Sequence, residues 1–483
     1  MTRHATGEEI LRRLGKRESL SVELPAGAGK TELIAALVQE AYAQRQRTLV
    51  LTHTHAGVDA LKARIHRRYS VPREFSRVRT IAGWAFELIR SYPILGGYKA
   101  PSFPDFTQSE QYYRACVSVL KADAIREVIS RSYDAVIVDE YQDCVAPQHR
   151  VVLALEQIVP TIVFGDSLQS LFHFNGNRPV DWERDVLPHF AAIDLPHRPW
   201  RWHHKNAELG DWLTEVRASL TNRQSVDLST APVTYVKLPQ KEWRAQAYRT
   251  AYANLNVPDL TVAALGKWPR DLAIAASLLG GEMQVMEEIE GKVMRGFAEE
   301  LSATPDERKA ASVVDFAKRC ALGVTKVVDN RKLSRVREGK HISTRISMYA
   351  PLYQAINLAV DQPTPAAMKQ ILDQLSGLNE IRIFCFEAWS EVAAAMELSH
   401  YDDTLTLLDA VIRRREILRR QGRKSGMRIV SRPLLVKGLE FDHVILLNAD
   451  AYNCQELYVA LTRASRALTI FSRSPMLSPH HSW

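Results

Sequence analysis

The chain has 483 residues, 46% of them hydrophobic, and a formal net charge of +8. This suits ordinary buried cores in roughly three domain-sized units, and the basic surplus suits a polyanionic partner. No run is apolar and long enough to cross a bilayer and no signal-like core follows Met1; the five cysteines are scattered without a CxxC pair. Neither membrane insertion, a disulfide framework nor a zinc or iron–sulfur centre is indicated, and a cytoplasmic address is expected.

In chain order, Leu20 to Leu24 reads as a strand and runs straight into Leu24-Pro25-Ala26-Gly27-Ala28-Gly29-Lys30-Thr31. A glycine-rich turn entering a helix turns backbone N–H groups and the positive helix end towards triphosphate oxygens; Lys30 adds a point charge and Thr31 a hydroxyl for Mg²⁺. Pro25, Ala26, Gly27, Ala28, Gly29, Lys30, Thr31 and Glu32 are the expected ATP cradle. Thr48 to Thr52 is the next strand, followed by the basic stretch Lys62 to Arg68 and by Arg77 and Arg79. Residues 91–130 read as a short insertion. The strand Ala135 to Val138 delivers Asp139-Glu140-Tyr141-Gln142-Asp143, in which Asp139 can hold the metal, Glu140 polarise a water and Gln142 sense the γ-phosphate. Strands Thr161 to Gly165 and Ala192 to Leu195 complete a first α/β pattern. A second begins with Val233 to Val236 and Thr261 to Leu265, gives way to mainly helical sequence, and resumes at Arg428 to Ser431, His443 to Leu447 and Leu468 to Phe471. Within the helical part, Ile381 to Phe386 has the look of a short strand. Alternating strands and helices predict parallel sheets with ligands at the carboxyl ends of the strands.

The ordered motifs resemble the UvrD/Rep-like superfamily-one helicases over most of the chain. Beyond the two nucleotide motifs, Thr52-His53-Thr54-His55-Ala56 with Leu61 to Ile65, and Thr80-Ile81-Ala82-Gly83-Trp84-Ala85, are similar to that family's DNA-contact motifs. Gly165 to Gly176 resembles its coupling motif, which makes Gln169 the γ-phosphate sensor and Phe172 and Phe174 a base-stacking platform. Trp200-Arg201-Trp202 resembles the fourth motif, with Arg201 on the γ-phosphate and Arg198 an alternative by spacing. Val436 to Asp442 resembles the fifth, bringing Gly438 and Glu440 to the nucleotide, and Glu456 to Ala464 the sixth, with Arg463 as arginine finger and Arg466 close by. There are departures: no glutamine occurs in Met1 to Glu23, Leu24 replaces the first loop glycine, Asn175 replaces an arginine, and Leu434 a histidine.

The resemblance implies two RecA-like P-loop domains with parallel sheets. The first spans 1–225, with its insertion at about 91–130; the second spans 226–290 and 424–483, around a mainly helical insertion at 291–423. It implies an enzyme that hydrolyses ATP with Mg²⁺, held by Thr31 and Asp139, with Lys30, Asp139, Glu140, Gln169, Arg201 and Arg463 catalytic and Arg463 delivered from the opposite domain. DNA, single-stranded or a tailed duplex, would meet Thr52, His53, Thr80, Trp84, Phe172 and Phe174, with 3′–5′ movement. Trp84 reads equally well as a core residue, and Trp200 and Trp202 as packing supports. The short insertions also resemble the helicase-like subunit of Gabija-type phage-defence systems, which implies an OLD-family nuclease partner. A sensing or regulatory ATPase that controls a partner without unwinding is the competing expectation.

Overall fold

The structure is a computed structural model that describes residues 3–101, 109–171, 178–253, 259–286, 291–345, 348–402, 404–421 and 428–480. The chain divides into two compact units. The first comprises Met1–Val226, Asn453–Arg466 and Ser478–Trp483; the second comprises Asp227–Tyr452 and Ala467–Leu477.

In the first unit β1 (Leu20–Glu23), β2 (Thr48–Thr52), β3 (Ser76–Thr80), β4 (Ala135–Val138), β5 (Thr161–Gly165) and β6 (Ala191–Ala192) form a six-stranded parallel sheet in the order β3-β2-β4-β5-β1-β6. The central strands β2, β4 and β5 are buried along their whole length, as strands covered on both faces must be. Period-two alternation sends Leu49, Leu51, Val136, Val138 and Val163 into one core layer. Val50, Ala135, Ile137, Ile162 and Phe164 face the other. Insertion helices Ser109–Leu120 and Asp123–Ser132 place Tyr112, Cys116, Val119, Ile125 and Ile129 in the first of these layers. The edge strand β3 differs: Arg77 and Arg79 break its burial, a charged edge of the kind that resists pairing with another sheet. Helix His55–Lys62 runs into a π-helical turn, Ala63–Arg68, that periodicity did not foretell.

β7 (Val226–Asp227) lies at the passage into the second unit. There β8 (Thr234–Lys237), β9 (Val262–Leu265), β10 (Gln284–Val285), β13 (Arg428–Ser431), β14 (Phe441–Leu446) and β15 (Ala464–Ser472) build another six-stranded sheet, in the order β10-β13-β9-β14-β15-β8. The fold is therefore α/β with two parallel sheets, as the alternation predicted. Between β10 and β13, helices including Lys292–Ala303, Asp306–Cys320, Ala350–Asp361, Pro365–Ser376 and Phe386–Tyr401 share one continuous core with the sheet. The strand expected at Ile381 to Phe386 is β12 (Arg382–Ile383), antiparallel to β11 (Ala321–Leu322). Among the described residues no helix is long and apolar enough to cross a membrane.

Segment Asn453–Arg466, expected to deliver its arginine from the opposite domain, is part of the first unit. Local bonds hold it there: Cys454 N–H donates to the His480 carbonyl (3.1 Å) and Trp202 Nε1 to the Ala464 carbonyl (2.7 Å).

Two predictions arise from this packing. Gly323 ends the β11 segment at φ +88°, and a Cβ there would sit 2.0 Å from the Glu380 carbonyl oxygen. Gly323→Ala should cost about 1–3 kcal/mol, read as a lowered midpoint in urea unfolding. Each unit also holds an imidazole shielded from water, half-buried His149 in the first and buried His443 in the second. His149 is lowered to about 4 by burial, helped by neighbouring His189, and His443, bonded to the Thr469 hydroxyl, is lowered to about 4 by burial. Below their ordinary pKa of 6.5 the unfolded chain takes up protons that the folded chain refuses, so stability should fall as pH drops from about 6.5 towards 4. The double variant His149→Gln/His443→Gln should flatten that part of a stability–pH profile.

Candidate nucleotide site

The loop between β1 and helix Lys30–Ala43 turns on two left-handed glycines, Gly27 (φ +72°) and Gly29 (φ +86°). Gly27 has a second reason to lack a side chain: a Cβ would meet Trp202 Cζ3 at 2.5 Å. Trp202 is 2% exposed and closes over the loop, while Arg201 N–H donates to the Gly27 carbonyl at 3.2 Å. Ala26 N–H donates to the Tyr458 hydroxyl (3.1 Å), whose pKa burial pushes up to about 12, so the phenol stays neutral.

Lys30 opens the helix and is 9% exposed. Its Nζ lies 3.0 Å from Glu140 Oε1 and 3.8 Å from Asp139 Oδ1. Burial works against its charge, but the carboxylates of Glu140, Asp139 and Asp166 outweigh it and hold the pKa above the ordinary lysine value. Nζ pairs with these carboxylates without a well-aligned hydrogen bond, so a buried ammonium stands beside the glycine-turned loop. Triphosphate oxygens fit that arrangement, and Asp139 with the Thr31 hydroxyl fits the few protein ligands that Mg²⁺ takes beside phosphate oxygens.

From Glu140 a chain of polar contacts leads across the carboxyl ends of the strands. Glu140 itself stands at φ +56°, a left-handed conformation that a non-glycine residue adopts at a cost. Gln142 Nε2 donates to Glu140 Oε2 (2.5 Å), and Gln142 Oε1 accepts from Asp166 N–H (3.0 Å). Asp166, fully buried, accepts from Gln169 Nε2 (2.7 Å) and pairs with Arg217. Gln169 Oε1 in turn lies 3.4 Å from Arg463 Nη2. Arg463 is 2% exposed, with Nε donating to the Val459 carbonyl (2.9 Å) and Nη2 to the Thr462 hydroxyl (2.9 Å). Arg201 Nη1 donates to the Thr462 carbonyl (2.5 Å).

Lys30, Asp139, Glu140, Gln142, Gln169 and Arg463 thus join one network, with Arg201 beside it. Other expected residues lie elsewhere. Glu32 reaches away from the loop, accepting from Tyr69 OH (2.7 Å) and Arg68 Nη1 (3.1 Å). Gly438 (φ +84°) and Glu440 lie in the second unit, in the turn entering β14. Thr52 is buried at the end of β2, and His53 Nε2 lies 3.4 Å from Cys144 Sγ. Thr80 caps helix Ile81–Ser91 by accepting from Gly83 N–H, and Trp84 is 4% exposed within the core. Phe172 and Phe174 fall outside the described residues. Trp200 is 41% exposed, whereas Trp202 is the packing support expected of both.

Sequence reasoning missed Arg217, Glu23 and the role of Tyr458. Arg217 Nη2 pairs with Glu23 Oε1 (2.9 Å), which also accepts from the Ser167 hydroxyl (2.5 Å). Burial opposes the Arg217 charge, and the carboxylates of Asp166 first and Glu23 next more than restore it. The available signal was Arg217's position on helix Ala207–Thr221, one residue after the core residue Val216. In the second unit, Lys267 Nζ lies 5.3 Å from the ring of Trp268, a half-exposed indole just beyond the carboxyl end of β9.

A family model described as an AAA domain matches residues 8–175. No curated protein matches the chain. Among solved structures the chain is similar to the Pif1 helicase from Candida albicans, at 11% identity over 99% of this chain and 96% of that one, with a TM-score of 0.39.

Arg217→Met keeps much of the side chain's volume but strands the Asp166 carboxylate. It should destabilise the first unit by about 3–5 kcal/mol, measured by urea unfolding. A loss under about 1 kcal/mol would show that the pair is not the buried charge anchor described here.

Proposed function

We propose that the chain is an ATP-dependent DNA helicase or translocase of the UvrD/Rep type. The observation that carries this reading is the buried Lys30 ammonium, facing Glu140 and Asp139 across a glycine-turned loop, with Gln169 linking that centre to Arg463. Lys30 and the loop N–H groups bind and orient the triphosphate. Glu140 takes the proton of an attacking water. Its contact with Lys30 loosens when phosphate claims the ammonium, which frees the carboxylate for that work. Thr31 and Asp139 would hold Mg²⁺, which would supply neutralisation of the triphosphate's charge. Arg463 and Arg201 stabilise charge that grows on the transferred group, where a preorganised cation acts most strongly. Gln169 reports the γ-phosphate's loss, a role supported by its contacts with both Arg463 and Asp166.

The partner is single-stranded or tailed DNA, met by the β2 carboxyl end at Thr52 and His53 and by Phe172 and Phe174. Thr80 and Trp84 act by holding helix Ile81–Ser91. By resemblance the movement is 3′–5′, and a defence role beside an OLD-family nuclease rests on sequence resemblance alone. A second reading, a sensing or regulatory ATPase, is favoured by one observation: Lys30, Gln169 and Arg463 belong to the same compact unit.

Lys30→Ala should lower ATP turnover by at least about 10²-fold, and Glu140→Gln should bind ATP while leaving it uncleaved, measured by filter binding and phosphate release. Strand displacement on 3′-tailed and 5′-tailed duplexes then separates the readings. Opening of the 3′-tailed duplex alone supports the translocating enzyme; DNA-stimulated hydrolysis with no displacement and no movement supports the switch. Normal turnover by Lys30→Ala would overturn both.

A further inference from the structure

At the opposite end of the same sheet, where β2 and β3 begin, lies a cleft of about 490 Å³. Lys62, His66, Arg73, Ser76, Arg77 and Arg79 line it, and Arg47 adds a further guanidinium. Its volume is in the range of small-molecule sites. Five permanent cations line it against one carboxylate, Glu74. Glu87 pairs with Arg77 Nη2 (2.6 Å) and Arg79 Nε (3.0 Å), which still leaves the cations in surplus. Lys62 and Arg73 have no ion pair among the described residues. Ser76 is 2% exposed, and its hydroxyl has no hydrogen-bond partner. An unspent buried hydroxyl beside unpaired cations is costly to keep unless something accepts from it.

The geometry points to a second anion site, specific for phosphate-bearing ligands and separate from the Lys30 centre. Guanidinium forks and a hydroxyl donor suit phosphate oxygens, and no carboxylate other than Glu74 lines the cleft to repel them. The site is separate because β2 carries Thr48 at the cleft and Thr52 at the other end, which puts most of a strand length, about 13 Å, between the two places. The ligand is either a free polyphosphate, such as a nucleotide tail, or the phosphodiester backbone of a nucleic acid strand; the recognising chemistry is shared.

The cleft is also tied to the nucleotide loop by a short path. Lys62 ends the helix that continues into the π-turn carrying His66. Arg64 and Arg68 of that turn pair with Glu32, two residues beyond Lys30, at 3.6 and 3.1 Å.

The test measures affinity for two probes, inorganic tripolyphosphate and a labelled short oligothymidylate, in the full chain bearing Lys30→Ala so that the first centre is weakened. Adding Arg73→Glu should weaken at least one probe by about fivefold or more, roughly 1 kcal/mol. Weaker tripolyphosphate assigns the cleft to free phosphates; weaker oligothymidylate alone assigns it to a strand backbone. A change below about fivefold for both probes overturns the site. Should a thermal melt show that Arg73→Glu does not fold, Lys62→Gln is judged by the same threshold.

Discussion

The pairing of Asp166 with Arg217 is the constraint on which the first unit's polar centre rests. Asp166 is fully buried at the end of β5, where an unpaired carboxylate would cost several kcal/mol. Arg217 removes that cost from one side, Gln169 donates from another, and the backbone N–H of Asp166 is itself occupied by Gln142. With its position thus determined, Asp166 can act as a fixed reference for both glutamines. Gln142 then has one orientation towards Glu140, and Gln169 one orientation towards Arg463.

Electrostatics follow from that anchoring. Lys30, Arg217 and Arg463 are three buried or nearly buried cations, and the carboxylates of Glu23, Asp139, Glu140 and Asp166 are gathered among the first two. Around Lys30 the carboxylates of Glu140, Asp139 and Asp166 outweigh the cost of burial and keep the ammonium charged. Tyr458 supports the same region without charge, as a phenol kept neutral by burial and bonded to the loop backbone.

Much of the architecture was legible because parallel strands buried on both faces are continuous apolar runs, and the runs at Thr48 to Thr52, Ala135 to Val138, Thr161 to Gly165 and Arg428 to Ser431 became β2, β4, β5 and β13 over those same residues. Shorter strands were blurred. The run at Ala192 to Leu195 is only β6, Ala191–Ala192, and β10 at Gln284–Val285 carries too few residues for a period to register. Lys30, Asp139 and Glu140 were legible because loop chemistry at a strand end is local. Arg217 was not, because what makes it important is a set of partners 51 and 194 residues away. The partners of Glu32 were hidden for a related reason: its neighbours in sequence are the glycine loop, while its neighbours in space are Arg64, Arg68 and Tyr69.

The bond from Ala26 to Tyr458 spans 432 positions of the chain. During synthesis the glycine loop emerges early, yet the phenol that braces it and the arginine that reaches Gln169 are made only after five of the six strands of the second sheet and the helices between them. Until then the growing chain carries a glycine loop without its phenol brace and a Gln169 without its arginine. A fragment cut after Val226 would inherit the same deficiency, whatever its ability to fold.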